Sequence, residues 1–267
     1  MILTRFAVIA WCAICAADAT AHEFWIEPER YQVAEGDDLV ARFKNGEAFE
    51  GVSLGYFERS VARYELIAGG TAETVTPRLG DNPALNLPAP ADGLTVVIHE
   101  TTPSFVTYPT WEKFQKFADH KDFADWRAQH TALGFSDPPF RERYTRHAKA
   151  LIAVGDGRGQ DTHHKMRTEF VALTNPYDSG FDGTMQVQVF DRDTPRARVQ
   201  VEVFDRAPDD TVTITLYRTD ENGIAAIPVT PGHAYLFDAV ILEPIKDHDK
   251  AVWDTHWAAL TFAVPAQ

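Results

Sequence analysis

Short apolar runs that end at glycine- or aspartate-rich turns constrain this chain more than any other feature. Leu94-Thr95-Val96-Val97-Ile98-His99-Glu100 is the most apolar run of the first half and predicts its central strand. Residues 61–67 run into Gly69-Gly70 before residues 72–75, the signature of a hairpin. Gly36-Asp37-Asp38 breaks the chain ahead of residues 39–43. In the second half Met185, Val187 and Val189 alternate with Gln186 and Gln188, which is the pattern of a half-buried strand. Residues 199–204, 211–217 and 235–242 follow as further strands, and residues 219–223 form a turn with Asn222-Gly223 at its tip. Short strands at this spacing predict sandwich packing.

Two stretches depart from that pattern. Trp111, Phe114 and Phe117 recur every three residues after Thr110, a fitting N-cap, and Phe123, Trp126 and Leu133 continue until Gly134. These aromatics read as helix core. Asp137-Pro138-Pro139 then forces an extended or turn segment. Gly155-Asp156-Gly157-Arg158-Gly159-Gln160-Asp161 is polar, glycine-rich and without periodicity, and reads as a linker. The expectation is a mainly β chain of two sandwich-like domains, with a small helical insertion in the first. The first spans residues 22–154, the linker 155–162 and the second 163–267. The run from residue 219 to Pro231-Gly232-His233-Ala234-Tyr235 resembles small transthyretin-like or peptidase-associated β-sandwich modules.

Residues 1–21 read as an export signal. A basic start with Arg5 is followed by an apolar run over residues 6–17, and Ala19-x-Ala21 places small residues where a signal peptidase inspects them. Cleavage after Ala21 makes His22 the first residue, so that its α-amine and its own Nδ1 can close a chelate ring on one ion. The α-amine has a pKa near ~8 and is therefore available as a ligand near neutral pH. Cleavage after Ala19 instead gives Thr20-Ala21-His22, with histidine third, which suits the square-planar preference of copper(II) or nickel(II). Both cysteines, Cys12 and Cys15, lie inside the signal, so the processed chain has neither thiol nor disulfide. Trp11 and Ile14 precede them where a lipid-acceptor cysteine needs a small residue. The expected location is periplasmic, without membrane insertion after cleavage.

His22-Glu23-Phe24-Trp25-Ile26-Glu27-Pro28 directly after a signal resembles the start of a bacterial periplasmic family, domain of unknown function 4198. The segments Arg143-Tyr144-Thr145-Arg146-His147-Ala148-Lys149-Ala150-Leu151, Glu169-Phe170-Val171-Ala172-Leu173-Thr174-Asn175-Pro176-Tyr177 and Trp257-Ala258-Ala259-Leu260-Thr261-Phe262 are similar to it in the same order. The resemblance implies a periplasmic component of nickel or cobalt uptake, with a metal ion as ligand and a membrane metal transporter as partner.

The residues support a metal reading on their own terms. The net charge of −14 disfavours nucleic acid and anionic membranes and favours cations. Ten histidines supply imidazole, yet no HExxH occurs, and thiolate sites are impossible after processing. His22 has a covalent reason to chelate. His163-His164 can share an ion only from a loop, because adjacent strand residues point to opposite faces. His99, on an apolar strand, and His256, between Thr255 and Trp257, read first as core histidines, with His99 kept as a metal candidate. Asp247-His248-Asp249 is a weak cation site in a polar loop.

The leading expectation is a binding or delivery protein for nickel or cobalt, with copper as a further possibility. A non-catalytic sandwich module that binds carbohydrate or a protein partner is the alternative. A copper oxidase with an N-terminal histidine brace is the third reading. No GxSxG elbow, phosphate loop or dinucleotide fingerprint supports other enzyme chemistry.

Overall fold

Alternation along the strands is resolved in space by three sheets stacked in layers. The computed structural model describes residues 22–246 and 248–266. The expected signal and its cleavage sites lie outside the described residues, as does Asp247 of the polar loop. In chain order the strands begin with β1 (Glu23–Pro28), β2 (Gln32–Val33), β3 (Asp38–Glu47), β4 (Glu50–Leu54) and β5 (Val61–Ala68). There follow β6 (Thr71–Thr74), β7 (Leu85–Pro88), β8 (Gly93–Thr101) and β9 (Ser104–Tyr108), and then the helices α1 (Trp111–His120) and α2 (Trp126–Ala132). The second half holds β10 (Phe140–Val154), β11 (Thr168–Ala172), β12 (Thr184–Asp191), β13 (Thr194–Pro195) and β14 (Gln200–Arg206). It ends with β15 (Val212–Arg218), β16 (Ile224–Pro228), β17 (Ala234–Pro244) and β18 (Trp253–Ala263).

The central sheet runs β15-β14-β17-β18-β10-β8-β5-β6, with β2 and β9 also paired to β10. One outer sheet is β1-β3-β4 with β7 on β3; the other is β11-β12-β13 with β16 on β12. In the middle strand β10, Leu151 and Ala153 join one core while Ala150 and Ile152 join the other. That strand is buried from both sides, which is why residues 148–154 lack a polar face apart from Lys149. Trp25, Ile26, Leu39 and Phe43 of the first outer sheet cover one face. Phe170, Met185, Val187 and Ile227 of the second outer sheet cover the other. Each such side chain taken fully out of water contributes about 1.5–3 kcal/mol. The two helices lie on the same face as the first outer sheet, where Phe114, Phe117 and Trp126 pack on Phe140, Trp253 and Trp257.

The fold is mainly β, with sandwich-like pairs of sheets and the expected helical insertion. Gly69 and Gly70 both have positive φ, +56° and +78°, as a two-residue hairpin between β5 and β6 requires. Thr110 precedes α1 with extended backbone, but its hydroxyl does not bond the helix N–H groups. The segment expected as a linker falls between β10 and β11 and is held against the sheet. Leu94 N–H donates to the Arg158 carbonyl at 2.8 Å, and the Asn175 amide donates to Gly157 and Gly159 carbonyls at 2.8 and 3.1 Å. Gly157 has φ +63°, and a Cβ there would sit 2.6 Å from the Ala153 side chain. The central sheet crosses this boundary, because β10 pairs in parallel with β18. Each expected half thus supplies one outer sheet and part of the central one.

Candidate functional site

Parallel pairing of β10 and β18 sets Thr145 opposite His256 and Arg143 opposite Asp254. Side chains two apart on a strand share a face, so Arg143, Thr145, His147 and Lys149 form one row with Asp254 and His256 beside it. Antiparallel β17 adds Glu243 opposite Asp254, and β8 brings Glu100. These polar groups occupy the end of the face whose centre is the apolar core of Leu151, Phe237 and Leu260. Together they form a polar cluster, the notch, at the margin of that layer.

Ligand atoms of Glu243, Asp254 and His256 all lie within 4.8 Å of one another. His256 Nε2 is 3.4 Å from Asp254 Oδ2 and 3.5 Å from Glu243 Oε1. Its Nδ1 is buried and has no hydrogen-bond partner. His147 lies alongside, with ring centroids 5.7 Å apart. His147 Nδ1 is 2.8 Å from Glu100 Oε2, so the N–H is on Nδ1 and donates to the carboxylate. Its Nε2 then carries a lone pair, and that atom too is buried and unpartnered. Burial pushes the His147 pKa down despite Glu100, which keeps the ring neutral. Arg143 clamps Asp254 through Nε at 3.1 Å and through Nη2, and Arg167 Nη2 donates to Glu243 at 3.0 Å. Burial raises the Asp254 pKa, but hydrogen bonds from His256 and Arg143 outweigh it and hold the group at about 2. Glu243, 42% exposed, opens the notch to solvent.

The residues singled out from sequence lie elsewhere. His22 precedes β1 with its imidazole 42% exposed and Nε2 3.8 Å from Glu47 Oε1. His99 is buried on the opposite face of the central sheet, ringed by Phe24, Phe43 and Tyr64 at 5.2, 4.2 and 5.6 Å. Neither of its nitrogens has a hydrogen-bond partner, and burial pushes its pKa down to about 3. His163 and His164 diverge. The first stacks on Phe190 at 4.4 Å with Nε2 3.4 Å from Glu169, and the second points Nε2 at Asp161, 3.3 Å away. Lys149, fully buried, already binds both carboxylates, at 2.9 Å to Asp161 and 2.7 Å to Glu169. Among the described residues, none of these four histidines joins two further donors within one ion's reach.

A second acidic group, Glu23, Glu202 and Asp238, lies on the face that carries the helices. Lys121, just after α1, donates from Nζ to all three, at 3.1, 2.6 and 2.9 Å, and sits 4.9 Å from the Trp257 ring. Burial lowers the Lys121 pKa, but the three carboxylates outweigh it and raise it. His120 Nε2 adds a contact of 2.9 Å to Glu202.

His147 and His256 were not legible as a pair in the sequence, because a separation of 109 positions hides their register. A local signal did exist. Asp254-Thr255-His256 sets a carboxylate and an imidazole two apart, hence on one strand face.

The fold and the notch define a class: a layered β protein with an imidazole–carboxylate group at the margin of its central sheet. The chain belongs to the family described as Domain of unknown function (DUF4198), whose model matches residues 19–243. No curated protein matches the chain. Among solved structures it is similar to the tetra-tandem repeat in the extending region of a large adhesion protein. The identity is 10%, with 92% of this chain and 50% of that chain covered and a TM-score of 0.20. It is also similar to a DUF3823 family protein from Bacteroides uniformis, at 9% identity, 91% and 100% coverage and a TM-score of 0.22. The chain spans half the length of the adhesion fragment. Both TM-scores are below the level of a shared fold. No helix among the described residues is long and apolar enough to cross a membrane.

Proposed function

We propose that this protein is a periplasmic binding and delivery protein for a late first-row divalent metal ion, held in the notch formed by His147, Glu243, Asp254 and His256. The observation that carries this reading is the meeting of two imidazoles, His147 and His256, with ring centroids 5.7 Å apart and the carboxylates of Glu243 and Asp254 gathered within 4.8 Å beside the second. Nickel and cobalt are favoured by the family resemblance, whereas donor chemistry alone favours copper. Release to a membrane metal transporter follows from the same resemblance, and the periplasmic location from the signal-like residues 1–21. A second site at His22 is favoured by its exposed imidazole next to Glu47, once processing has made its α-amine a ligand.

Calorimetric titration of exported protein with nickel, cobalt and copper tests this. With the N-terminal site removed by His22→Ala, the protein is expected to bind one ion per chain, in the notch. His256→Ala should lose that ion, while His163→Ala with His164→Ala should retain it. No binding by the wild type contradicts the reading and moves the assignment to a non-catalytic sandwich module for carbohydrate or protein.

A further inference from the structure

Within the notch, and resting on the metal reading above, we infer that the ion is taken by an imidazole pair, His147 through Nε2 and His256 through Nδ1. Glu100, Glu243 and Asp254 are then outer groups that hold the N–H sides of the two rings. Both rings have the same arrangement. One nitrogen faces carboxylate oxygen, at 2.8 Å for His147 and 3.4–3.5 Å for His256, and the other is buried without a partner. Buried polar atoms are almost always hydrogen-bonded, so two such nitrogens on neighbouring rings call for an explanation. His99 differs, since it has no carboxylate on either nitrogen and only aromatic rings around it.

Distance and charge agree with this assignment. Two imidazoles on one ion, with metal–nitrogen bonds of about 2.0–2.1 Å, place their ring centroids roughly 4.5–6.5 Å apart, according to the nitrogen–metal–nitrogen angle. The centroids of His147 and His256 are 5.7 Å apart. The carboxylates are already engaged by cations: Asp254 by both arms of Arg143, and Glu243 by Arg167. An ion bound through them would have to displace guanidinium groups, whereas the two imidazole nitrogens have no hydrogen-bond partner to give up. A carboxylate on the far nitrogen of a ligand histidine fixes its tautomer and raises its basicity. An imidazole donor set selects nickel, cobalt, copper or zinc over calcium, magnesium or manganese, which prefer oxygen.

Pulsed electron paramagnetic resonance on the copper(II)-loaded chain tests the pair, in a His22→Ala background so that an N-terminal chelate does not contribute. The remote ring nitrogens are expected to report two equatorial imidazoles. His147→Ala and His256→Ala should each leave one, and weaken binding by more than the roughly 10–100-fold that loss of an outer partner brings. Glu243→Gln with Asp254→Asn should keep both imidazoles and stay within that smaller range. A spectrum with one imidazole, or with carboxylates whose loss abolishes binding while His147→Ala leaves it intact, overturns the pair but leaves the notch as the site. No copper binding at all overturns the metal reading itself. Because the imidazole count is read before any notch residue is changed, misfolding of a variant does not obscure the result.

Discussion

Two acidic groups among the described residues, Glu23 with Glu202 and Asp238, and Glu243 with Asp254, lie on opposite faces of one sheet and differ in what fills them. At Glu23, Glu202 and Asp238 the chain supplies its own cation, the Lys121 ammonium, with three hydrogen bonds of 2.6–3.1 Å. At Glu243, Asp254 and His256 the carboxylates are met by arginines at the margin, while two imidazole nitrogens stay unpartnered. A buried charge group that is complete is part of the fold. It ties β1, β14 and β17 to the end of α1, and removing one member leaves the others uncompensated. The unpartnered lone pairs of His147 and His256 beside satisfied carboxylates have no counterpart at the Lys121 centre, and that contrast is what the proposed division into a stabilising centre and a ligand-binding one rests on.

The contrast breaks most clearly at Lys121. Lys121→Met strands three buried carboxylates and is expected to cost about 3–5 kcal/mol, measured by denaturant unfolding. Burial raises the pKa values of Glu23 and Asp238, so these groups take up protons on mild acidification. The deficit should therefore be smaller at pH 5 than at pH 8. A variant as stable as wild type at both pH values would remove the structural role of this centre.

A smaller effect sharpens the distinction between a core histidine and the proposed ligand histidines. Burial pushes His99 down to about 3, below the value of ~6.5 in an unfolded chain. Between those values the unfolded state binds the extra proton, so stability falls as pH falls through that window. The slope is at most about 1.4 kcal/mol per pH unit. His99→Leu should flatten the decline in Tm between pH 7 and pH 4 and leave metal binding unchanged. An equally steep decline in the variant would show that His99 does not set it.

Most of the local structure was legible in the sequence because its causes are local. The Gly69-Gly70 hairpin, the alternating β12 with Met185, Val187 and Val189 fully buried, and the apolar β8 all follow from residues within a few positions. The helical insertion followed from aromatic spacing. The two polar clusters were not legible, because each depends on long-range register. Lys121 meets partners 98, 81 and 117 residues away, and His147 meets His256 only through the parallel pairing of β10 with β18. The row Arg143, Thr145, His147, Lys149 alternates with Tyr144, Arg146 and Ala148, yet alternation alone does not tell which face a second sheet covers.

The most direct measurement is an anomalous difference map from crystals of the exported protein grown with nickel or cobalt. One strong peak is expected between the rings of His147 and His256, and none among Glu23, Glu202 and Asp238. A dominant peak at His22 or at the Lys121 centre, or no peak at saturating metal, would contradict it.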